Sequence, residues 1–228
     1  MRALLRKWQT RRVRPRLLTF DIFGTVLDWR RGLRESVAKA GGRMDDATFD
    51  RIIDAQARIE AGPFRRYADI VAESLVQVLG LDAAAATAIG RDAGEWPLFQ
   101  DSADALRRLR RIASIAATTN SDLSHGRSVQ RSLGFDLDAW ICAEDVRAYK
   151  PDERVWREAE ARTGVEPGPE WWHVSAYADY DLVTARALGL TCVFVARPHA
   201  RPGPADLSVH DLSELADVAE SGTIPTGR

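Results

Sequence analysis

Apolar positions follow two rhythms along the chain. Residues 17–21, LLTFD, form a continuous apolar run closed by one aspartate, the pattern of a strand buried on both faces. From Trp29 to Glu95 the rhythm changes. Ile52, Ile53, Ile59, Val71, Leu75, Val78 and Leu79 recur at helical spacing, punctuated by Gly41-Gly42, Gly62-Pro63 and Gly80. No strand is predicted there, and residues 29–96 read as an inserted helical lobe. After Trp96-Pro97 strands and helices alternate. Helices are predicted over 102–111, 121–133, 151–163 and 181–188, and strands over 112–119, 139–143, 171–175 and 191–196. Pro151 suits a first helical turn, and Gly134 and Gly189 suit helix ends. Repeated strand–helix units predict an α/β fold, a parallel sheet with helices on both faces, built from residues 17–28 and 97–220.

Composition narrows the function classes. The 228 residues are 45% hydrophobic and 29% charged with a net charge of -1, so nothing global points to nucleic acid or a membrane. No apolar run has the roughly 18 residues of a spanning helix, and a cytoplasmic protein is expected. Cys142 and Cys192 both sit in apolar segments and read as buried small hydrophobes rather than a disulfide or metal pair. Residues 1–16 carry seven basic side chains and no acidic one, which predicts a solvated tail, with a nucleic-acid arm as the alternative. Residues 221–228 read as a flexible end.

In parallel sheets of this kind reactive groups collect beyond the carboxyl ends of the strands. Four strand ends carry such groups: Asp21, then Thr118-Thr119-Asn120, then Lys150 after a loop, then Ser175 with Asp181 six residues on. Asp21-Ile22-Phe23-Gly24-Thr25-Val26-Leu27-Asp28 resembles the first motif of the haloacid dehalogenase superfamily. Thr119-Asn120 resembles the second, Lys150-Pro151-Asp152 the third, and the segment from Val174 to Asp181 with Ala185-Arg186-Ala187-Leu188-Gly189 the fourth. The resemblance runs from about Leu17 to Pro198. It implies a Rossmann-like parallel-sheet core with an inserted helical cap domain, and a nucleophilic aspartate that forms a covalent intermediate.

The magnesium-dependent phosphatases of that superfamily need a second aspartate two residues after the nucleophile and a carboxylate early in the fourth motif. Here those places hold Phe23 and Ala176. Both absences argue against phosphoryl transfer and match the L-2-haloacid dehalogenase branch, whose first motif reads Asp-x-Tyr-Gly-Thr. A halide leaves carbon without a proton or a metal. One carboxylate in a dry cleft suffices. The resemblance implies Asp21 as nucleophile attacking C2 of a short 2-halo acid, with no cofactor and no metal. It also implies Lys150 beside Asp21, Thr25 holding its rotamer, and Asp181 fixing Lys150 and helping to activate water. Ile22, Phe23, Thr119, Asn120 and Tyr177 are expected at the substrate. A small carboxylate is the expected partner, and a homodimer the expected assembly.

Two places depart from the branch. Its fourth motif carries a serine and an asparagine where Ala176 and Tyr177 stand, unless the loop shifts and Ser175 serves. Its cap supplies a halide-receiving arginine, for which Arg58, Arg65 and Arg66 are candidates, Arg58 foremost. These departures leave three alternatives: opening of a strained ring such as azetidine-2-carboxylate, which needs an acid such as Asp179, Asp181 or Tyr177; a magnesium-dependent phosphatase; and a non-catalytic binder. His173 reads as a core or edge histidine.

Overall fold

The computed structural model describes residues 9–12 and 14–226. Its centre is a six-stranded parallel sheet of β2 (Leu17–Phe20), β3 (Ser114–Thr119), β4 (Ala139–Cys142), β5 (Trp171–Ser175), β6 (Thr191–Val195) and β7 (Leu207–Val209), in the order β4-β3-β2-β5-β6-β7. This is the doubly wound order, with its switch point between β2 and β5. Register places Thr19 beside His173 and Phe20 beside Val174.

Successive side chains on each strand serve opposite faces. Leu17, Ala116 and Cys192 pack with α8 (Arg154–Thr163) and α9 (Val183–Ala187) through Val155, Trp156, Ala159 and Ala185. Leu18, Phe20, Ile115 and Ala117 face the other way, against α5 (Ser102–Leu109), α6 (Leu123–Leu133) and α10 (Leu212–Ser221). A short α7 (Ala143–Val146) follows β4. Trp156, Trp171 and Trp172 are fully buried.

Between β2 and α5 run four helices, α1 (Trp29–Lys39), α2 (Asp46–Glu60), α3 (Tyr67–Leu79) and α4 (Ala83–Arg91), with a 3₁₀ turn at Ala93–Glu95. Asp28, Asp45 and Asp82 cap the starts of α1, α2 and α4 by accepting backbone N–H bonds. The start of α3 is capped from outside its own segment. Asp122, which precedes α6, accepts from the Tyr67 and Ala68 amides at 2.8 and 2.9 Å. His125 meets the Gly90 carbonyl at 3.0 Å, and the Arg65 amide donates to the Tyr149 hydroxyl at 2.8 Å. These bonds clasp the insertion over the strand ends.

The structure differs from the sequence expectations at several boundaries. Residues Gln9–Arg12 (β1) pair antiparallel with Thr223–Thr226 (β8), within the solvated tail and the flexible end expected over 1–16 and 221–228, of which residues 1–8, 13 and 227–228 lie outside the described residues. β7 and α10 were not foreseen. α8 begins at Arg154 rather than Pro151, because the Asp152 carboxylate takes the Arg154 amide at 2.9 Å and closes the preceding turn. No described helix is long and apolar enough to cross a membrane.

Candidate active site

Asp21 stands at the end of β2, the strand at the switch point. Its amide donates to the Val174 carbonyl at 2.9 Å, so its position is fixed by the β2–β5 pairing. Gly24, at φ +96°, turns the chain so that Thr25 comes back to the same carboxylate. The Thr25 hydroxyl donates to Asp21 Oδ2 at 2.7 Å and accepts the Ala176 amide at 2.9 Å. Arg197, itself buried, donates to the Thr25 carbonyl at 2.9 Å and pairs with Asp101 at 2.8 Å, which pins that turn from behind.

Lys150 joins two carboxylates. Its Nζ lies 2.9 Å from Asp21 Oδ1 and 2.8 Å from Asp181 Oδ2, with all three side chains buried. The Asn120 side chain holds the Lys150 backbone on both sides, accepting from its amide at 2.6 Å and donating to its carbonyl at 3.2 Å. Asp181 is brought under Lys150 by a π-helical turn, Ala178–Leu182, one residue wider per hydrogen-bonded ring than an α-helix.

Charges here are set by burial against pairing. Burial raises the Asp21 carboxyl above its ordinary range; Lys150 opposes this, and Asp181 adds to it. Burial pushes Asp181 the same way, but Lys150 and His173 outweigh it and hold Asp181 well below the usual carboxylate range. Burial alone lowers the Lys150 ammonium, and its two carboxylates more than reverse that, leaving it above an ordinary lysine.

A cavity of about 710 Å³ opens between the strand ends and the insertion. Six of the candidates line it: Asp21, Phe23, Thr119, Asn120, Lys150 and Tyr177. Thr25 and Asp181 lie behind the wall, in contact with Asp21 and Lys150. Two candidates are not on the wall. The Ile22 side chain is fully buried in the core and does not reach the cavity. Arg58 is exposed and also absent from the wall. The face of α2 toward the cavity is Ile53, Gln56, Ala57 and Glu60, and at 100° per residue Arg58 points roughly 150° away from it. Arg65 is paired with Glu73 instead, and Arg66 is exposed at the start of α3. The wall arginines are Arg147, Arg154 and Arg201.

Sequence reasoning missed three contributors. His173 Nε2 sits 3.1 Å from Asp181 Oδ1, and its Nδ1 is 2.8 Å from the Thr19 hydroxyl. Trp29 Nε1 donates to the Tyr177 hydroxyl at 2.9 Å. Glu60 faces into the cavity, and burial pushes its carboxyl up to about 7 against the Asn120 amide and Lys150. Its spacing from Ile53, Gln56 and Ala57, at i+7, i+4 and i+3, is the signal that marks it.

The donor set does not fit a divalent cation. The Lys150 ammonium takes one oxygen from each carboxylate, and Ala176 brings no third. Among the described residues no three His, Cys, Asp or Glu side chains cluster as metal ligands do.

A model of haloacid dehalogenase-like hydrolases matches residues 15–174. The chain belongs to this family. Within the haloacid dehalogenase-like hydrolases, a solved defluorinating L-2-haloacid dehalogenase superposes with a TM-score of 0.76 at 26% identity, covering 90% of this chain and 95% of that one. A second L-2-haloacid dehalogenase structure gives 0.74 at 28% identity, covering 89% and 98%. Among curated proteins, the (S)-2-haloacid dehalogenase 4A of Burkholderia cepacia is 31% identical over 128 residues, 53% of this chain and 54% of that protein. The match therefore spans about half the length of the curated relative.

Proposed function

We propose that the chain hydrolyses the carbon–halogen bond of a short 2-halo carboxylic acid. The observation that carries this reading is the state of Asp21: a buried carboxylate on the cavity wall, held by Thr25 and Lys150, with Phe23 where a proton donor would stand. A side chain so placed attacks carbon and expels a leaving group that needs no proton.

In the first step an Asp21 oxygen bonds to C2, and the C–X bond breaks with its electron pair leaving on the halide. The product is an ester of Asp21 with inverted configuration at C2. In the second step water attacks the ester carbonyl carbon. The C2–oxygen bond stays intact while the acyl–oxygen bond breaks, giving the 2-hydroxy acid and a restored Asp21. Lys150 keeps Asp21 ionised and steadies charge on the carbonyl oxygen in the second step. Thr119 and Asn120 are assigned to the substrate carboxylate, and Asp181 to the placing of Lys150. Halide reception passes from Arg58 to Arg147, stacked 4.2 Å over Phe64 and without an ion pair among the described residues, and to Arg201. The insertion acts as the cap, and its Trp29, Phe64 and Tyr67, with Phe23 from the core, form an aromatic wall that keeps water out. The resemblance also carries a homodimer and a cytoplasmic location into this reading, open to sedimentation and fractionation.

The test is halide release from the 2-chloropropionate enantiomers in EDTA. Release from the S enantiomer alone, unaffected by chelator and lost in Asp21→Asn, supports the proposal. Hydrolysis of p-nitrophenyl phosphate only after Mg²⁺ is added, with no halide from either enantiomer, overturns it.

A further inference from the structure

The dehalogenase reading leaves one proton without a destination. Water attacking the Asp21 ester must lose it, and Asp181, the acid assigned to that task by resemblance, is poorly placed. It is fully buried, does not line the cavity, and has Lys150 on one oxygen and His173 3.1 Å from the other. Those partners hold it well below the usual carboxylate range, which makes it a weak proton acceptor. Among the described residues no histidine lines the cavity.

The insertion offers a different group. Its share of the wall, among the described residues, holds no arginine, lysine or histidine and a single carboxyl, Glu60. The α2 face that carries Glu60 looks across the cavity toward Asn120 and Lys150, which both act on its charge.

We propose that Glu60 is the general base of the second step. Its carboxylate takes a proton from the water as the oxygen bonds to the ester carbonyl carbon. When the tetrahedral intermediate collapses, the departing 2-alkoxide takes that proton back and leaves as the 2-hydroxy acid. The Asp21 carboxyl that remains loses its own proton to solvent. Lys150 and Asn120 at the strand ends, Tyr67 from α3, Tyr149 from the facing loop and Tyr180 from the π-helical turn are the groups that surround Glu60. Burial raises all three phenols and their carboxylate neighbours keep Lys150 raised, so among these groups Glu60, at about 7, is the one that changes charge near neutrality. Asp21, Arg147, Arg154, Arg201, Asp152 and Asp179 are the other charged groups of the described wall, and Asp21, itself raised by burial, is esterified in this step.

The assignment rests on the dehalogenase reading, and a rapid-quench experiment with (S)-2-chloropropionate separates the two. Wild-type protein turns over repeatedly, with kcat rising with pH through an apparent pKa of about 7. Glu60→Gln releases its first equivalent of halide at the wild-type rate and then stalls, with steady-state kcat down by about 10²- to 10⁴-fold. Intact mass shows the ester on the stalled protein, and the pH dependence is flattened. Glu60→Asp, measured beside it, recovers part of the turnover. Glu60→Gln that turns over without accumulating ester, or that changes KM alone, overturns the assignment while leaving the dehalogenase reading standing. Wild-type protein that releases no halide overturns both.

Discussion

Asp21→Asn is expected to abolish activity and stabilise the protein. When all three groups are ionised, the buried cluster holds two carboxylates and one ammonium, one negative charge more than it can pair. Burial already raises Asp21 above its ordinary carboxyl range despite Lys150. A folded-state pKa above the unfolded one means that ionised Asp21 opposes folding, at about 1.4 kcal/mol per unit of displacement. Asparagine removes that charge and leaves Lys150 and Asp181 as a neutral pair. Its Oδ1 still accepts from Lys150, and its amide turns to the Thr25 hydroxyl, which can accept. The expected gain is on the order of 1–3 kcal/mol at neutral pH, or roughly 2–12 °C in Tm for a chain of this size. The sign with pH follows from the same linkage. The penalty of Asp21 is complete above its raised folded pKa and absent below the unfolded value of about 3.9, so the advantage of the asparagine variant narrows as pH falls through that window. Calorimetric melts of both proteins across that window test this, beside halide release, which should fall by at least about 10⁴-fold. A variant less stable than wild type at neutral pH, or an advantage that does not narrow in acid, refutes the overcharged-cluster reasoning.

Lys150→Met strands two buried carboxylates and should cost about 3–5 kcal/mol in urea denaturation at neutral pH. The deficit shrinks in mild acid, where the stranded carboxyls take up protons; a pH-independent deficit contradicts the charge account. Gly24→Ala puts a Cβ 2.6 Å from Tyr177 Cε2, 2.7 Å from its hydroxyl and 2.9 Å from Trp29 Nε1, on a backbone at φ +96°. A loss on the order of 2 kcal/mol and a shift in tryptophan fluorescence are expected, and an unchanged melt with unchanged emission would count against that packing.

The centre of the fold was legible because its strands are buried on both faces. Residues 17–20 and 171–175 are apolar enough to read as strands without any partner information. β7 escaped notice because three residues between a Pro/Gly stretch and Asp211 carry no periodicity. The β1–β8 ribbon escaped because Gln9 meets Thr226 from the far end of the chain. The same division holds in the site. Asp21, Thr119, Asn120 and Lys150 follow from strand ends, which a parallel sheet gathers whatever covers them. The wall supplied by α2 depends on how one helix is rotated about its axis. Arginine-rich sequence drew attention to Arg58, whereas the Ile53, Gln56, Ala57, Glu60 stripe selects the opposite face. Chemical type without helix phase pointed to a residue that is off the wall.

The histidine read as core filler shows why a buried polar group next to a reactive cluster needs its own account. Trp171 Nε1 donates to the Thr19 hydroxyl at 2.8 Å, that hydroxyl meets His173 Nδ1 at 2.8 Å, and His173 Nε2 reaches Asp181 Oδ1 at 3.1 Å. Thr19 and His173 are register partners on β2 and β5, so the order of the sheet itself places the imidazole under Asp181. Asp181 in turn sets Lys150, and Lys150 sets Asp21. Each group in this line is buried, and leaving any of them unpaired costs about 1–3 kcal/mol, so none can swing away while the sheet is intact. On the proposed reading, in which Asp21 attacks carbon from one direction, its aim is therefore set by strand pairing rather than by the loops around it. The insertion is left free to vary the groups that meet the substrate, and here it presents a carboxyl where resemblance led us to expect a cation.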